Sequence, residues 1–196
     1  MECWEPSSLL AAWWFSSYNK AMSKRPRLAV SSCLLGERVR YDGKEKRVAW
    51  LAELSPAQVE LVPICPEVGA GMPVPRPPIQ IALEQGVLRL RVVDEGSDCT
   101  DQVDKFVQRQ LQVLKAQPID GYIFKSRSPS CGLRDTPYFS SALKSPALGM
   151  GSGVWAASVA ESFATIPLAD ENQLVDEDAQ KAFLEQVRAH WVRRSV

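Results

Sequence analysis

Three short apolar runs, each leading into a cysteine, constrain this chain more than any other feature. Leu28-Ala29-Val30-Ser31-Ser32-Cys33 is closed by Gly36. Val59-Glu60-Leu61-Val62-Pro63-Ile64-Cys65 is broken by Pro66. Ile119–Lys125 runs on into the loop that holds Cys131. Runs this short, bounded by glycine and proline, suit strands buried on both faces of a parallel sheet. Between the second and third, Val103, Val107, Leu111 and Leu114 recur at helical spacing with Phe106 beside them, and Thr100 is placed to cap that helix. A helix from about Val154 to Phe163 and a strand over Ala164–Leu168 follow. Asp176 then caps a helix that carries Ala179, Phe183, Val187 and Trp191 on one face. Ile79–Leu83 and Val87–Val93, joined through Glu84-Gln85-Gly86, read as a hairpin. Strands separated by helices give the fold class: α/β, a single domain with a mostly parallel, doubly wound, Rossmann-like sheet plus a β-hairpin.

Charge and length narrow the function classes. Twenty-three basic residues balance 23 acidic ones, so no bulk nucleic-acid binding is expected. Leu9–Phe15 is far shorter than the ~20 residues that span a bilayer, so no membrane partner is expected. Glu2 and Glu5 precede it without a basic residue, unlike a secretory signal. A cytoplasmic protein is the expectation. Residues 1–26 read as an N-terminal extension, helical or disordered, because Met22-Ser23-Lys24-Arg25-Pro26 would make an ordinary start; 27–196 read as the α/β domain.

The 196-residue chain is long enough to fold without cross-links, and its cysteine count of five is odd, so a disulfide framework is not expected. No C-x-x-C pair occurs, which removes zinc ribbons and thioredoxin-like redox motifs. His190 is the only histidine and reads as a partner for the C-terminal dipole of the last helix. Histidine-based catalysis is close to excluded. In a doubly wound sheet the loops beyond the carboxyl ends of neighbouring strands share one crevice. Cys33, Cys65 and Cys131 occupy such loops and can converge there. Three soft thiolates without histidine suit zinc, copper(I) or an iron–sulfur cluster. Three reduced cysteines packed as small hydrophobes remain the alternative. Cys99 reads as a packed thiol ahead of a helix.

The residues around these cysteines resemble a known family. Ser31-Ser32-Cys33-Leu34-Leu35-Gly36 is followed by Val39-Arg40-Tyr41-Asp42-Gly43. Val62-Pro63-Ile64-Cys65-Pro66-Glu67-Val68 is followed by Gly71-Met72-Pro73 and Pro75-Arg76-Pro77-Pro78. Ile123-Phe124-Lys125-Ser126-Arg127-Ser128-Pro129-Ser130-Cys131-Gly132 completes the set. Order and spacing resemble the bacterial thiouracil desulfidase family from about Leu28 to Leu168. The resemblance implies a [4Fe–4S] cofactor held by Cys33, Cys65 and Cys131 alone, with one iron left open. It implies a small thiolated base as partner, its sulfur taken by the open iron, and an oxygen-labile, non-redox hydrolysis of thiouracil to uracil and hydrosulfide. Two alternatives stand beside it: a non-catalytic iron–sulfur or zinc module that docks a partner protein, or sulfur handling on another thio-compound.

Other residues complete the expected site. Glu67 is the only acid inside a cysteine motif; burial would raise its pKa and suit proton transfer, or it anchors its loop. Ser128 is placed to hydrogen-bond substrate or water, or to form the turn beside Pro129. Lys125 and Arg76 are the cations expected to face the pocket as substrate contacts. Asp42, before Gly43, is a turn former or a partner for such a cation. Ser152, within Gly149-Met150-Gly151-Ser152-Gly153, lies where a helix start could offer N–H groups to a base carbonyl.

Overall fold

In the computed structural model, which describes residues 25–140 and 146–196, the first apolar run forms β1 (Arg27–Ser31) inside a four-stranded sheet. The expectations placed on residues 1–24 lie outside the described residues. β2 (Glu60–Ile64), β5 (Gly121–Phe124) and β8 (Leu168–Asp170) complete that sheet in the order β2-β1-β5-β8, every pair parallel. Pro26 is already buried, and its carbonyl accepts from Glu60 N at 2.9 Å.

Side chains alternate across the pleat and build two cores. Ala29, Tyr122 and Phe124 face one side, where α3 (Thr100–Ala116) and α4 (Val154–Ser162) bring Val103, Phe106 and Trp155. Leu28, Val30 and Ile123 face the other, against Phe183 and Val187 of α5 (Glu177–Ser195) and Leu51 of the short α1 (Ala49–Glu53). Helices cover both faces, as a doubly wound sheet requires. A single turn, α2 (Pro66–Gly69), follows β2.

The expected hairpin, β3 (Ile79–Glu84) with β4 (Val87–Val92), belongs to a second four-stranded sheet of order β4-β3-β6-β7. β6 (Thr136–Ser140) lies parallel to β3, and β7 (Ala147–Gly151) antiparallel to β6. Neither was expected. β6 contains Pro137, and β7 is glycine-rich and almost wholly exposed, so neither shows the alternation that marks a strand. Gly149 to Gly151, expected to lead directly into a helix, therefore belong to β7. Gly151 lies so close under Tyr138 that a Cβ there would collide with the ring.

Three other expectations shift. The N-cap of α3 is Cys99, not Thr100; Thr100 Oγ1 instead accepts from Leu90 N at 2.8 Å. The strand expected over Ala164–Leu168 begins only at Leu168, because Pro167 has no N–H for the ladder and contributes just its carbonyl, to Tyr122 N at 3.0 Å. His190 meets a carboxylate rather than the end of its own helix: its Nδ1 lies 3.1 Å from Asp120 Oδ1. Arg194 binds the same carboxylate at 2.9 and 3.0 Å, and Arg27 N donates to it at 2.9 Å. Asp120 is 0% exposed, so its charge needs these donors. Asp176 caps α5 as expected, accepting from Ala179 N at 2.8 Å. Among the described residues no helix is long and apolar enough to cross a membrane.

Candidate functional site

The carboxyl ends of β1, β2 and β5 open into a cavity of about 380 Å³ lined by Cys33, Cys65 and Cys131. Each cysteine is held by its own local device. Cys33 sits in a 3-10 turn (Ser32–Leu35) directly after β1, closed by Gly36 at φ 94°, a conformation glycine adopts without strain. Cys65 is the N-cap of α2, where Pro66 at the first position favours the turn. Cys131 lies in a loop tied by Ser128, whose Oγ accepts from Ser130 N at 3.3 Å and from Cys131 N at 3.0 Å.

The N-terminus of α4 completes the third loop. Gly153 N donates to Gly132 O at 2.8 Å, Val154 N to Pro129 O at 3.1 Å and Trp155 N to Ser130 O at 3.0 Å. Those N–H groups hold the cysteine loop in place of a ligand. Ser152 Oγ accepts from Arg134 N at 3.2 Å, and Ser152 is not among the residues lining the cavity. Asp42 does not line it either; it accepts from Arg40 at 3.2 Å and from Lys44 N at 3.1 Å, in the turn that Gly43 closes at φ 71°.

Glu67, Arg76, Lys125 and Ser128 do line the cavity. Both cations are bound to carboxylates. Arg76 donates through Nε to Glu67 Oε2 at 2.8 Å and reaches the carbonyls of Pro73 and Val39 at 3.1 and 3.0 Å. Glu67 Oε1 accepts from Ser130 Oγ at 3.0 Å, so this carboxylate joins the Cys65 turn to the Cys131 loop. Lys125 Nζ donates to Ser126 O, Ser126 Oγ and Glu171 Oε1 at 2.8, 3.0 and 2.6 Å. Glu171 was not foreseen; its one signal was its place just past the carboxyl end of a strand. Burial pushes its pKa up, but hydrogen bonds from Lys125 and Ser126 outweigh that and hold it below the usual carboxylate range.

The thiols show what the cavity asks for. Burial, and next the neighbouring Cys65, push Cys33 up to about 11. Burial also raises Cys65. Burial raises Cys131 most strongly, with Cys65 and Cys33 adding to it. Thiols bind metals as thiolates, so a metal bound here would displace their protons. A three-thiolate donor set fits iron or another soft metal. Among the described residues no three His, Cys, Asp or Glu stand close enough to hold one metal ion. The described cysteines, Cys99 included, are all free.

Fold and site together define a class: a doubly wound α/β protein with three thiols from three strand ends facing one small cavity. The chain belongs to the 2-thiouracil desulfurase family, whose model matches residues 28–171. It is similar to a solved [4Fe–4S]-dependent thiouracil desulfidase, TudS, at 30% identity and a TM-score of 0.62, over 80% of this chain and 98% of that one. No curated protein matches the chain.

Proposed function

We propose that this protein converts thiouracil to uracil and hydrosulfide, with a [4Fe–4S] cluster held by Cys33, Cys65 and Cys131. The observation that carries the reading is the convergence of these three thiols on one cavity of about 380 Å³, in a chain of this family. That volume lies at the small end of ligand pockets and suits a single ring more than a polymer. When bound, the cluster supplies an iron without a protein ligand, a thiophilic Lewis acid for the substrate's sulfur, so that replacing sulfur by water needs no net electron transfer.

The chain's own residues have separate tasks. Glu67, fixed by Arg76 and Ser130, is the carboxylate at the cavity wall and takes a proton from the attacking water. Ser128 accepts two backbone N–H groups, which leaves its hydroxyl proton for the ring or the water. Lys125 and Arg76, each paired to a carboxylate, contribute charge beside the thiolates. Asp42 and Ser152 shape loops near the site. We place the reaction in the cytoplasm, where thiols stay reduced.

The test is anaerobic reconstitution of the full chain with iron and sulfide, then sulfide and uracil release from a panel of thiolated bases. Equal amounts of uracil and sulfide are expected. A full cluster that releases no sulfide from any of them would favour the partner-docking module instead.

A further inference from the structure

Among the described residues, one buried hydroxyl at the cavity has no hydrogen-bond partner. Lys125 gives its three ammonium protons to Ser126 and Glu171. Glu67 is taken by Arg76 and Ser130. Ser31 Oγ accepts from Lys125 N at 3.0 Å. Ser32 differs. It lines the same cavity, is only 4% exposed, and its side chain makes no hydrogen bond among the described residues. Its carbonyl is occupied, accepting from Glu37 N at 3.3 Å. Nor is the hydroxyl sealed in the interior: among the described residues, the enclosed side-chain polar atoms without a partner are Trp50 Nε1, Gln80 Nε2 and Ser195 Oγ. The Ser32 hydroxyl therefore opens on the cavity. Buried polar groups are nearly always satisfied, so one left open beside a cavity marks where a ligand completes the set.

We infer that Ser32 is a specificity-determining contact for the thiolated ring, its hydroxyl hydrogen-bonding a ring N–H or carbonyl oxygen adjacent to the thiocarbonyl. The inference rests on the proposed desulfuration and deepens it. A hydroxyl donates and accepts, so it pairs with either edge group of a thiouracil. A neutral partner also suits a neutral ring, and Lys125 and Arg76 are already paired to carboxylates. Ser32 directly precedes Cys33, so a ring held by it lies next to a cluster ligand.

The test compares wild type, Ser32→Ala and Ser32→Thr as cluster-loaded full chains. Iron content, visible absorption, kcat and KM are measured on 2-thiouracil and its N1-methyl and N3-methyl forms. Ser32→Ala should keep the iron and the spectrum and raise KM about three- to tenfold with little change in kcat. Ser32→Thr should restore KM. If the contact is to a ring N–H, one methylated substrate should show the same KM with both proteins; if it is to the carbonyl, Ser32→Ala should raise KM for all three. An unchanged KM in Ser32→Ala overturns the inference. So does a changed spectrum with unchanged KM, which would assign the hydroxyl to the cluster. Should loaded wild type release no sulfide, the desulfuration reading falls on its own. Calorimetric binding of uracil then decides Ser32: weaker binding by Ser32→Ala supports the contact, and equal binding overturns it.

Discussion

The two sheets make opposite use of cysteine. At the parallel sheet, Cys33, Cys65 and Cys131 follow three neighbouring strands, and the shared direction of those strands delivers them to one cavity. Beside the mixed sheet, Cys99 is buried alone, its Sγ donating to Leu90 O at 3.4 Å. Its thiol is also pushed up to about 11, by burial first and by Asp98 next, as Cys33 is by burial. Raised pKa thus fails to tell the two kinds of cysteine apart. Company does, and parallel topology creates the company. The mixed sheet serves the site indirectly: Thr136 of β6 donates to Ser128 O at 2.9 Å and steadies the Cys131 loop.

The largest expected effect tests that contrast directly. Cys33→Ser, Cys65→Ser or Cys131→Ser should each remove most of the iron measured per chain and the visible absorption with it, whereas Cys99→Ser should change neither. Iron retained in one of the first three would break the comparison. Glu67→Gln comes next. It should keep the cluster and a near-normal KM while kcat drops about 10²–10⁴-fold. A parent rate there would make Glu67 a loop anchor only.

Asp120→Asn probes the parallel sheet away from the site. Leaving Arg194 and His190 without their buried carboxylate should lower unfolding stability by about 3–5 kcal/mol in denaturant titration. Turnover of the folded fraction should not change. Ser128→Ala should cost about tenfold in kcat/KM, the worth of one hydrogen bond of ~1.5 kcal/mol. Thr136→Val, which cuts the mixed sheet's link to that loop, should cost less than Ser128→Ala in the same assay. A larger loss would give the second sheet a direct part in the site. Removing residues 1–21 should have the smallest effect, with iron content unchanged, because the family match begins at residue 28. Insoluble protein after that truncation would instead make the segment part of the core.

The legible and illegible parts of the molecule divide along the same line. β1 and β5 were readable because strands buried on both faces must be apolar throughout; β2, an edge strand with only Ile64 buried, was readable from its short apolar run bounded by Pro66, and chain order placed a cysteine after each. β6 and β7 were not readable, since short, exposed strands rich in proline and glycine carry no periodic signal. Asp176 was identified as a cap because capping is a contact within one turn. Thr100 was assigned one residue off, because its hydroxyl serves a strand ten positions away.

The sequence by itself determined the α/β class, the three cysteines at the strand ends and the acid and serine beside them, because apolar periodicity and turn chemistry are local. Only the tertiary structure decided which polar groups remain open to a ligand. Lys125 is engaged by Glu171, 46 residues on, and His190 by Asp120, 70 residues back. Arg76 meets Glu67 across a loop, and Ser32 is left without a partner among the described residues. Pairing a charge or a hydroxyl depends on which distant side chain reaches it at about 3 Å, and no local spacing encodes that distance.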